Sequence, residues 1–214
     1  MSKARVFIVD DHPLVREGLG ARIAAQRDME VCGEAVEAEA ALAQVDAAKP
    51  DLVIVDLSLR ESNGLSLIKK LMQRDAHPKI LVLSAHDESV FAERALRAGA
   101  QGYVNKQEAQ GKVLDAIRAV LRGELYVSSD VAQRLLGRAV GDRRTGGGVE
   151  SLSNRELEIF ELIGRGNGTR AIAEQLHLSV HTIETHRENI RVKLGLRNGT
   201  ELLRHAVQWV LEGR

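Results

Sequence analysis

The stretch that decides the fold of the N-terminal part is Arg5–Pro13, RVFIVDDHP. Four consecutive apolar residues, Val6–Val9, lead directly into two carboxylates, Asp10 and Asp11. A short, continuous apolar run is typical of a strand that is covered on both faces. The two acids at its end repel each other, and burying either one is costly unless a positive charge compensates. The rest of the sequence must therefore supply that positive charge.

The composition sets broad limits on the class of protein. The chain has 214 residues, 44% hydrophobic and 28% charged, which suits a globular protein of one large or two small domains. The formal net charge is zero, so composition neither favours nor excludes nucleic acid. A single cysteine, Cys32, excludes an internal disulfide framework and a cysteine zinc site. With no membrane-length apolar run and no signal-peptide pattern, we expect a cytoplasmic protein without a membrane partner.

Short apolar runs alternate with helical patterns in the first part of the chain. The runs are RVFIVD, MEVCGEA, DLVIVD, KILVLSA and GYVNK, and they are separated by segments such as PLVREGLGARIAAQ, GLSLIKKLMQR and ESVFAERALRAGA. This alternation predicts a doubly wound, five-stranded parallel sheet covered by helices on both faces. A fifth helix, EAQGKVLDAIRAVLRG, is expected to end near Gly123. The helical spacing also predicts one apolar face on the first helix: Leu14, Val15, Gly18, Leu19 and Ile23.

The last part of the chain reads as four helices. SNRELEIFELIGRG opens with Ser153 and has Glu156 three residues on, which is a capping box. TRAIAEQLHL predicts a short second helix, SVHTIETHRENIRVKLGL a longer third and NGTELLRHAVQWVLEG a fourth. A short helix, a tight turn and a longer helix form a helix-turn-helix pattern. The residues of the third helix predicted to face the core are Val180, Ile183, Ile190 and Leu194.

A segment of different composition separates these two parts. ELYVSSDVAQRLLGRAV predicts a short helix after Ser128 or Ser129, and the following GDRRTGGG, with three consecutive glycines, predicts a flexible linker. We therefore expect an α/β domain over residues 1–123, a linker with a short helix over 124–148, and an all-α domain over 149–214.

Polar residues stand at the ends of four of the predicted strands. Asp10 and Asp11 follow the first strand, Asp56 the third and Lys106 the fifth, while Ser84 ends the fourth. In a doubly wound sheet, ligands bind beyond the carboxyl ends of the strands, so these residues are expected on one rim. Three carboxylates there need a cation, and oxygen ligands with room for water suit Mg²⁺. The lysine would add a fixed positive charge.

This arrangement fits phosphoryl transfer. A carboxylate can act as the nucleophile and form an acyl phosphate, while a metal and a lysine neutralise the phosphoryl oxygens. Asp56 is the best candidate because it lies on the central strand, and the Ser84 hydroxyl can bond a phosphoryl oxygen. Plainer interpretations stay open for single residues: Asp11 can be a helix N-cap, Ser84 a turn residue and Lys106 a solvated charge. The joint pattern is harder to obtain by accident.

Four stretches, VFIVDDHPLVREGL, PDLVIVDLSL, ILVLSAHD and GAQGYVNK, resemble the receiver domain of bacterial two-component response regulators over roughly residues 4–123. The resemblance implies a flavodoxin-like fold. It also implies that a sensor histidine kinase transfers a phosphoryl group to Asp56. Asp10, Asp11 and the backbone carbonyl of Ser58 would hold Mg²⁺ together with the phosphoacceptor, beside Lys106.

The same resemblance implies a switch pair, Ser84 and Tyr103. On phosphorylation Ser84 would move toward the phosphoryl group and Tyr103 would turn inward, which remodels the face around the fourth helix. Tyr103 also reads as a half-buried strand aromatic, and both interpretations can hold. The sequence departs from similar receivers at residues 60–63, RESN, where proline and small residues are usual, and VEAEAA replaces the usual turn after the second strand. Arg60 is expected to affect kinase recognition or the lifetime of the phosphoryl group.

The stretch LSNRELEIFELIGRGNGTRAIAEQLHLSVHTIETHRENIRVKLGL resembles the LuxR-type helix-turn-helix across its whole length, as in regulators of the NarL/FixJ type. The N-terminal half of a recognition helix meets base edges. The resemblance implies that bases are read at four positions: His181, Glu184, Thr185 and Glu188. It implies contacts to the DNA backbone at three others: Thr182, Arg187 and Lys193.

The charge of this C-terminal part argues for pairing on DNA. From residue 151 onward nine Lys and Arg oppose eight Asp and Glu, so a single copy is expected to bind DNA only modestly. Two copies that pair through the fourth helix and read two half-sites would compensate. The plainer alternative is a solvated face with i,i+3 pairs between Glu184 and Arg187 and between Glu188 and Arg191.

The preferred hypothesis is a transcription factor, not an enzyme, that dimerises on phosphorylation and binds double-stranded promoter DNA. RNA polymerase is a further candidate partner. One alternative is a Mg²⁺-dependent phosphatase of the haloacid dehalogenase type, which places a second Asp where this chain has Ser58. The other alternative is a receiver that acts as a docking module without phosphorylation.

Overall fold

The computed structural model describes residues 3–59, 63–75, 77–86, 88–140 and 148–212. Arg60 and most of the predicted glycine-rich linker lie outside these ranges. The chain folds as two compact units, Met1–Gly141 and Asp142–Arg214.

The first unit is the predicted doubly wound α/β fold. Its five parallel strands have the order β2-β1-β3-β4-β5, so β3 is central. The strands are β1 Ala4–Val9, β2 Met29–Ala35, β3 Leu52–Val55, β4 Lys79–Ser84 and β5 Gly102–Asn105. The helices between and after them are α1 Pro13–Ala24, α2 Ala38–Ala48, α3 Gly64–Met72, α4 Glu88–Ala98 and α5 Ala109–Leu121.

The two inner strands explain the unbroken apolar runs. Val6–Val9 of β1 pair in register with Leu52–Val55 of β3, and all eight side chains are buried. Helices on both faces of the sheet leave these strands no exposed side, so no polar residue alternates along them. The predicted apolar face of α1 is only partly correct. Leu19 and Ile23 are buried, but Leu14 is 83% exposed because the first turn of α1 lies beyond the end of β1.

The chain after α5 remains part of the first unit. As predicted, α5 ends before Gly123, which takes a left-handed conformation (φ +87°). The following residues run along β5, where the Tyr126 N–H donates to the carbonyl of Gln101. Helix α6, Ser129–Val140, then packs on α4. The segment predicted as a linker therefore begins with packed structure, and the domain boundaries at 123 and 148 stay a prediction.

The second unit contains the four predicted helices. They are α7 Asn154–Gly164, α8 Thr169–Gln175, α9 Val180–Lys193 and α10 Gly199–Glu212, preceded by a short 3-10 turn, Val149–Ser151. The capping box of Ser153 and Glu156 is formed. The core face predicted for α9 is correct at Ile183 and Ile190 but wrong at Val180, which is exposed. Val180 is the first residue of α9, and the neighbouring helices do not cover it.

Gly64 lets α3 begin directly against the end of β3. A Cβ at this position would collide with the carbonyl oxygen of Asp56 and lie 2.7 Å from the Cα of Leu57. Because both neighbours are backbone, they cannot rotate away. We expect Gly64→Ala to destabilise the first unit by about 1–3 kcal/mol, measured as a lower Tm. Gly18→Ala, where a Cβ meets nothing within 4 Å, is the control and should be neutral or stabilising. Equal Tm values for Gly64→Ala and the parent protein would contradict this reading of Gly64.

Candidate functional site

The ends of β1, β3 and β5 bring three carboxylates and one lysine together. Asp10, Asp11 and Asp56 are 2%, 9% and 1% exposed. The Nζ atom of Lys106 lies 2.6 Å from Oδ2 of Asp56 and 2.7 Å from Oδ2 of Asp10. β1 and β3 are neighbours in the sheet, and the chain after β5 reaches back across the end of β4. The rim predicted from the sequence therefore exists.

The charges at this rim do not balance. Burial raises the pKa of Asp56 above its ordinary range, because the Lys106 ammonium offsets only part of the cost of desolvation and the nearby Asp10 adds to it. Burial alone would lower the pKa of Lys106, but the carboxylates of Asp56 and Asp10 raise it on balance, so the lysine stays charged. One ammonium thus faces three buried carboxylates, and a further cation would be stabilised here.

His12 was not predicted as part of this site. Its Nδ1 lies 2.8 Å from Oδ1 of Asp11 and 3.2 Å from Oδ1 of Asp10, with the ring largely exposed. One ligand atom from each of Asp10, Asp11, His12 and Asp56 lies within 4.8 Å of the others. Its position directly after the acid pair was the available signal. A donor set dominated by carboxylate oxygens suits a hard divalent cation.

The loops after β3 and β4 are joined beside Asp56. The N–H of Ser58 donates to Oδ1 of Asp56 at 3.3 Å, and the Ser58 hydroxyl lies 2.7 Å from Nε2 of His86. The His86 ring stacks on Phe91, with ring centroids 4.5 Å apart. His86 was not predicted as part of this site, although it stands two residues after Ser84. The contact between Ser58 and His86 links the Ser58 side chain, which follows the central strand β3, to the loop that precedes α4.

The predicted switch pair is buried and connected through that loop. The Ser84 hydroxyl accepts from the N–H of His86 at 3.3 Å. The Tyr103 hydroxyl donates to the carbonyl of His86 at 3.0 Å, and its ring is almost fully buried, more than the half-buried aromatic of the plainer interpretation. Tyr103 therefore already lies inward in this structure, and its turn on phosphorylation stays a prediction.

The base-reading positions predicted on α9 share an exposed side of the helix. The four residues are His181, Glu184, Thr185 and Glu188. Of the predicted backbone contacts, Thr182 is engaged at the N-terminus of α9, where its N–H donates to the Ser179 hydroxyl. The i,i+3 pairs are present: Nε of Arg187 lies 3.9 Å from Oε2 of Glu184, and Arg191 contacts both carboxylate oxygens of Glu188.

Lys193 is engaged within the unit. Its Nζ lies 2.6 Å from Oε2 of Glu156, the carboxylate of the α7 capping box. Burial alone would raise the pKa of Glu156, but the hydrogen bonds from Lys193 and Ser153 lower it overall, so this carboxylate stays charged. The ion pair between Lys193 and Glu156 connects the C-terminal end of α9 to the start of α7. A phosphate contact by Lys193, as predicted, would compete with this ion pair.

Comparison with known families accounts for both units. Residues 6–118 match the family described as "Response regulator receiver domain", and residues 150–206 match the one described as "Bacterial regulatory proteins, luxR family". The chain belongs to the two-component response regulators of the NarL/FixJ type. In this response regulator the acidic rim lies in the receiver unit and α9 in the LuxR-type unit.

Relatives extend the match over nearly the whole chain. "Oxygen regulatory protein NreC" of Staphylococcus aureus (strain bovine RF122 / ET3-1) is 36% identical over 210 residues, which covers 95% of this response regulator and 97% of the relative. A LuxR-family response regulator from Aurantimonas sp. SI85-9A1 is 37% identical with a TM-score of 0.59, over 65% of this chain and 99% of that one. RcsB from Salmonella enterica serovar Typhimurium, bound to promoter P1flhDC in the presence of phosphomimetic BeF3-, is 26% identical with a TM-score of 0.59. The match covers 96% of this chain and 100% of that one.

These matches confirm the predicted fold class and the predicted function. This response regulator is a DNA-binding transcription regulator controlled by phosphorylation. Within the part of the chain that the structure describes, no helix is long and apolar enough to cross a membrane. The roles of individual residues at the rim and on α9 stay predictions.

Proposed function

We propose that Asp56 accepts the phosphoryl group from a sensor histidine kinase and that this event promotes dimerisation and promoter binding. The observation that supports this most strongly is the contact of Asp56, buried at the end of the central strand, with the Lys106 ammonium at 2.6 Å. A carboxylate held beside a fixed positive charge can attack phosphorus while the incoming negative charge is neutralised.

The transfer itself is a displacement at phosphorus. A carboxylate oxygen of Asp56 forms an O–P bond as the N–P bond of the kinase phosphohistidine breaks, and the histidine, which carries a proton on its other ring nitrogen, leaves as neutral imidazole. With acetyl phosphate as the donor, acetate is the leaving group. Lys106 then neutralises a phosphoryl oxygen, and the hydroxyl of Ser84 donates to another once it has moved toward the group.

We assign four ligands to Mg²⁺: the carboxylates of Asp10, Asp11 and Asp56, and the backbone carbonyl of Ser58. The support is the excess of buried negative charge over the single ammonium of Lys106. When bound, Mg²⁺ supplies further neutralisation of the phosphoryl oxygens.

Two copies would read double-stranded promoter DNA through α9. The near balance of charge in the second unit argues against tight binding by one copy. A solved structure of the relative RcsB contains "two RcsB dimers bound to two parallel DNAs". On α10, Leu203 and Leu211 are exposed and offer apolar surface for pairing. Because its target is the chromosome, the regulator works in the cytoplasm. RNA polymerase is a further candidate partner. The regulator has no catalytic turnover of its own.

The test is incubation with acetyl phosphate and Mg²⁺, followed by intact mass and sedimentation velocity. We expect the gain of one phosphoryl group and a shift from monomer to dimer. DNA affinity that does not respond to the phosphodonor would favour the docking-module alternative. Multiple turnover on a phosphomonoester would favour the phosphatase alternative.

Glu184→Ala is expected to change which DNA sequence is preferred more than it changes overall affinity. A carboxylate accepts from cytosine N4, and one such contact discriminates between bases by about 1–3 kcal/mol. Selection from a random double-stranded library, followed by titration at fixed salt, measures both quantities. Glu174→Ala on α8 removes an exposed carboxylate of equal charge and should leave the preferred sequence unchanged. An unchanged preference with a uniform loss of affinity in Glu184→Ala would contradict base reading by this residue.

A further inference from the structure

Three contacts hold the start of α6 against the receiver unit. The backbone of Tyr126 pairs with the edge of β5, accepting from the N–H of Tyr103 at 2.8 Å and donating to Gln101 at 3.0 Å. The Glu88 carboxylate, in the first turn of α4, accepts from the N–H of Ser128 at 2.8 Å. Val131 is buried where α6 meets α4. The edge of the sheet and the first turn of α4 thus position the same short helix.

The apolar part of this contact is small. Among residues 129–136 of α6, for which burial is described, Val131 is buried and Leu136 is largely exposed. A helix of 12 residues is marginal on its own in water, so its state depends on the contacts it makes. The loss of one polar contact at its N-terminus is therefore expected to change how often α6 opens.

The same contacts lead back to the phosphorylation pocket. Tyr103 donates two hydrogen bonds. Its hydroxyl donates to the carbonyl of His86, and its backbone N–H donates to the carbonyl of Tyr126. His86 in turn donates its N–H to the Ser84 hydroxyl. Glu88 follows His86 by two residues and begins α4. A movement of the Ser84 hydroxyl toward Asp56 would therefore displace the loop that carries both the Tyr103 contact and the first turn of α4.

We propose that α6 is the output element of the receiver unit and that Glu88 is the positioning residue that couples it to the pocket. The inference rests on the proposed phosphorylation of Asp56. As Ser84 moves toward the phosphoryl group, Glu88 shifts with the first turn of α4, its bond to Ser128 weakens, and α6 is held less tightly. Because the chain runs from α6 into the DNA-binding unit, release of α6 frees the end of the receiver unit that carries it and lets two DNA-binding units pair.

Hydrogen exchange of the full chain, read by mass spectrometry on peptides that cover α6, tests this inference. Intact mass on the same samples reports occupancy of Asp56. In the parent protein we expect α6 amides to exchange roughly tenfold faster after acetyl phosphate and Mg²⁺. In Glu88→Ala they should exchange fast already without phosphodonor and change little on its addition. Glu88→Gln keeps an oxygen that can accept from Ser128 and should restore most of the contrast.

A matched control removes the same charge from the first turn of another helix. Glu39 is exposed in the first turn of α2, and Glu39→Ala should behave as the parent protein does. If Asp56 is phosphorylated but α6 exchange stays the same or slows, the inference fails and the proposed function stands. If no phosphoryl group is gained, both fail. If Glu88→Ala matches Glu39→Ala in both states, Glu88 is not the coupling residue.

Discussion

Replacing Asp56 by asparagine is expected to abolish phosphorylation by acetyl phosphate, so that intact mass shows no gain and sedimentation shows no shift to dimer. An amide is not a nucleophile toward phosphorus under these conditions, and the substitution removes the carboxylate that lies 2.6 Å from the Lys106 ammonium. Asp10 and Asp11 remain, but in our assignment they hold Mg²⁺ and do not take over the transfer.

The variant should also fold at least as well as the parent protein. Because burial raises the pKa of Asp56, the folded state binds its proton more tightly than the unfolded state does. The stability contributed by this group therefore falls as pH rises from its ordinary value through the raised one, and at neutral pH the ionised carboxylate is destabilising. Asp56→Asn removes that cost, so we expect an equal or higher Tm at pH 7 and a weaker pH dependence.

The control is an aspartate that is exposed and away from the rim. Asp115 on α5 has a largely exposed side chain, and Asp115→Asn should keep full phosphorylation and the shift to dimer. Phosphorylation retained in Asp56→Asn would mean that another carboxylate is the acceptor. Phosphorylation lost in Asp115→Asn as well would mean that the loss is not specific to the pocket.

Lys106→Met is expected to have the largest effect on stability, about 3–5 kcal/mol at pH 8. The substitution keeps an unbranched side chain that lacks the terminal ammonium, so the buried carboxylates of Asp10 and Asp56 lose their positive partner. The pKa of Lys106 is raised in the folded state, so its contribution is fully present below its ordinary pKa and is lost only at higher pH. Without the lysine, the carboxylates can recover by binding protons, so the destabilisation should shrink toward pH 5.

Calorimetry at pH 8 and pH 5.5 is the measurement, because Trp209, the single tryptophan, lies in the DNA-binding unit and its fluorescence would report on the wrong part of the chain. Lys112→Met breaks an exposed pair with Glu108, which solvent screens, and should leave the Tm nearly unchanged at both pH values. The double variant Asp56→Asn, Lys106→Met should recover part of the loss. An equally small effect at both pH values for Lys106→Met would show that the lysine does not stabilise the carboxylates.

The secondary structure of both units could be predicted because its causes are local. The run Val6–Val9 reads as a buried strand since every residue in it is apolar, and Ser153 with Glu156 reads as a helix start since both groups of the capping box lie within one turn. A glycine with a left-handed backbone ended α5 where expected, at Gly123. The rim of the sheet followed, because parallel strands place their carboxyl ends at one edge.

Which side of a helix is covered could not be predicted in the same way. Leu14 and Val180 fit an apolar spacing but are exposed, because each lies in a first turn that its neighbours do not reach. The packing of α6 on α4 was also missed. Among residues 129–136, whose burial is described, Val131 is the one buried side chain, and it leaves too weak a pattern in the sequence to separate a docked helix from a linker helix.

The sequence by itself determined the order of strands and helices, the division into two kinds of fold, and the residue types at the strand ends, because periodicity and caps act over a few residues. Only the tertiary structure decided that Lys106 contacts Asp56, that His86 joins Ser58, and that Lys193 is engaged by an acid 37 residues away. Such contacts depend on the relative placement of distant backbone segments, and no local pattern in the chain encodes a distance between them.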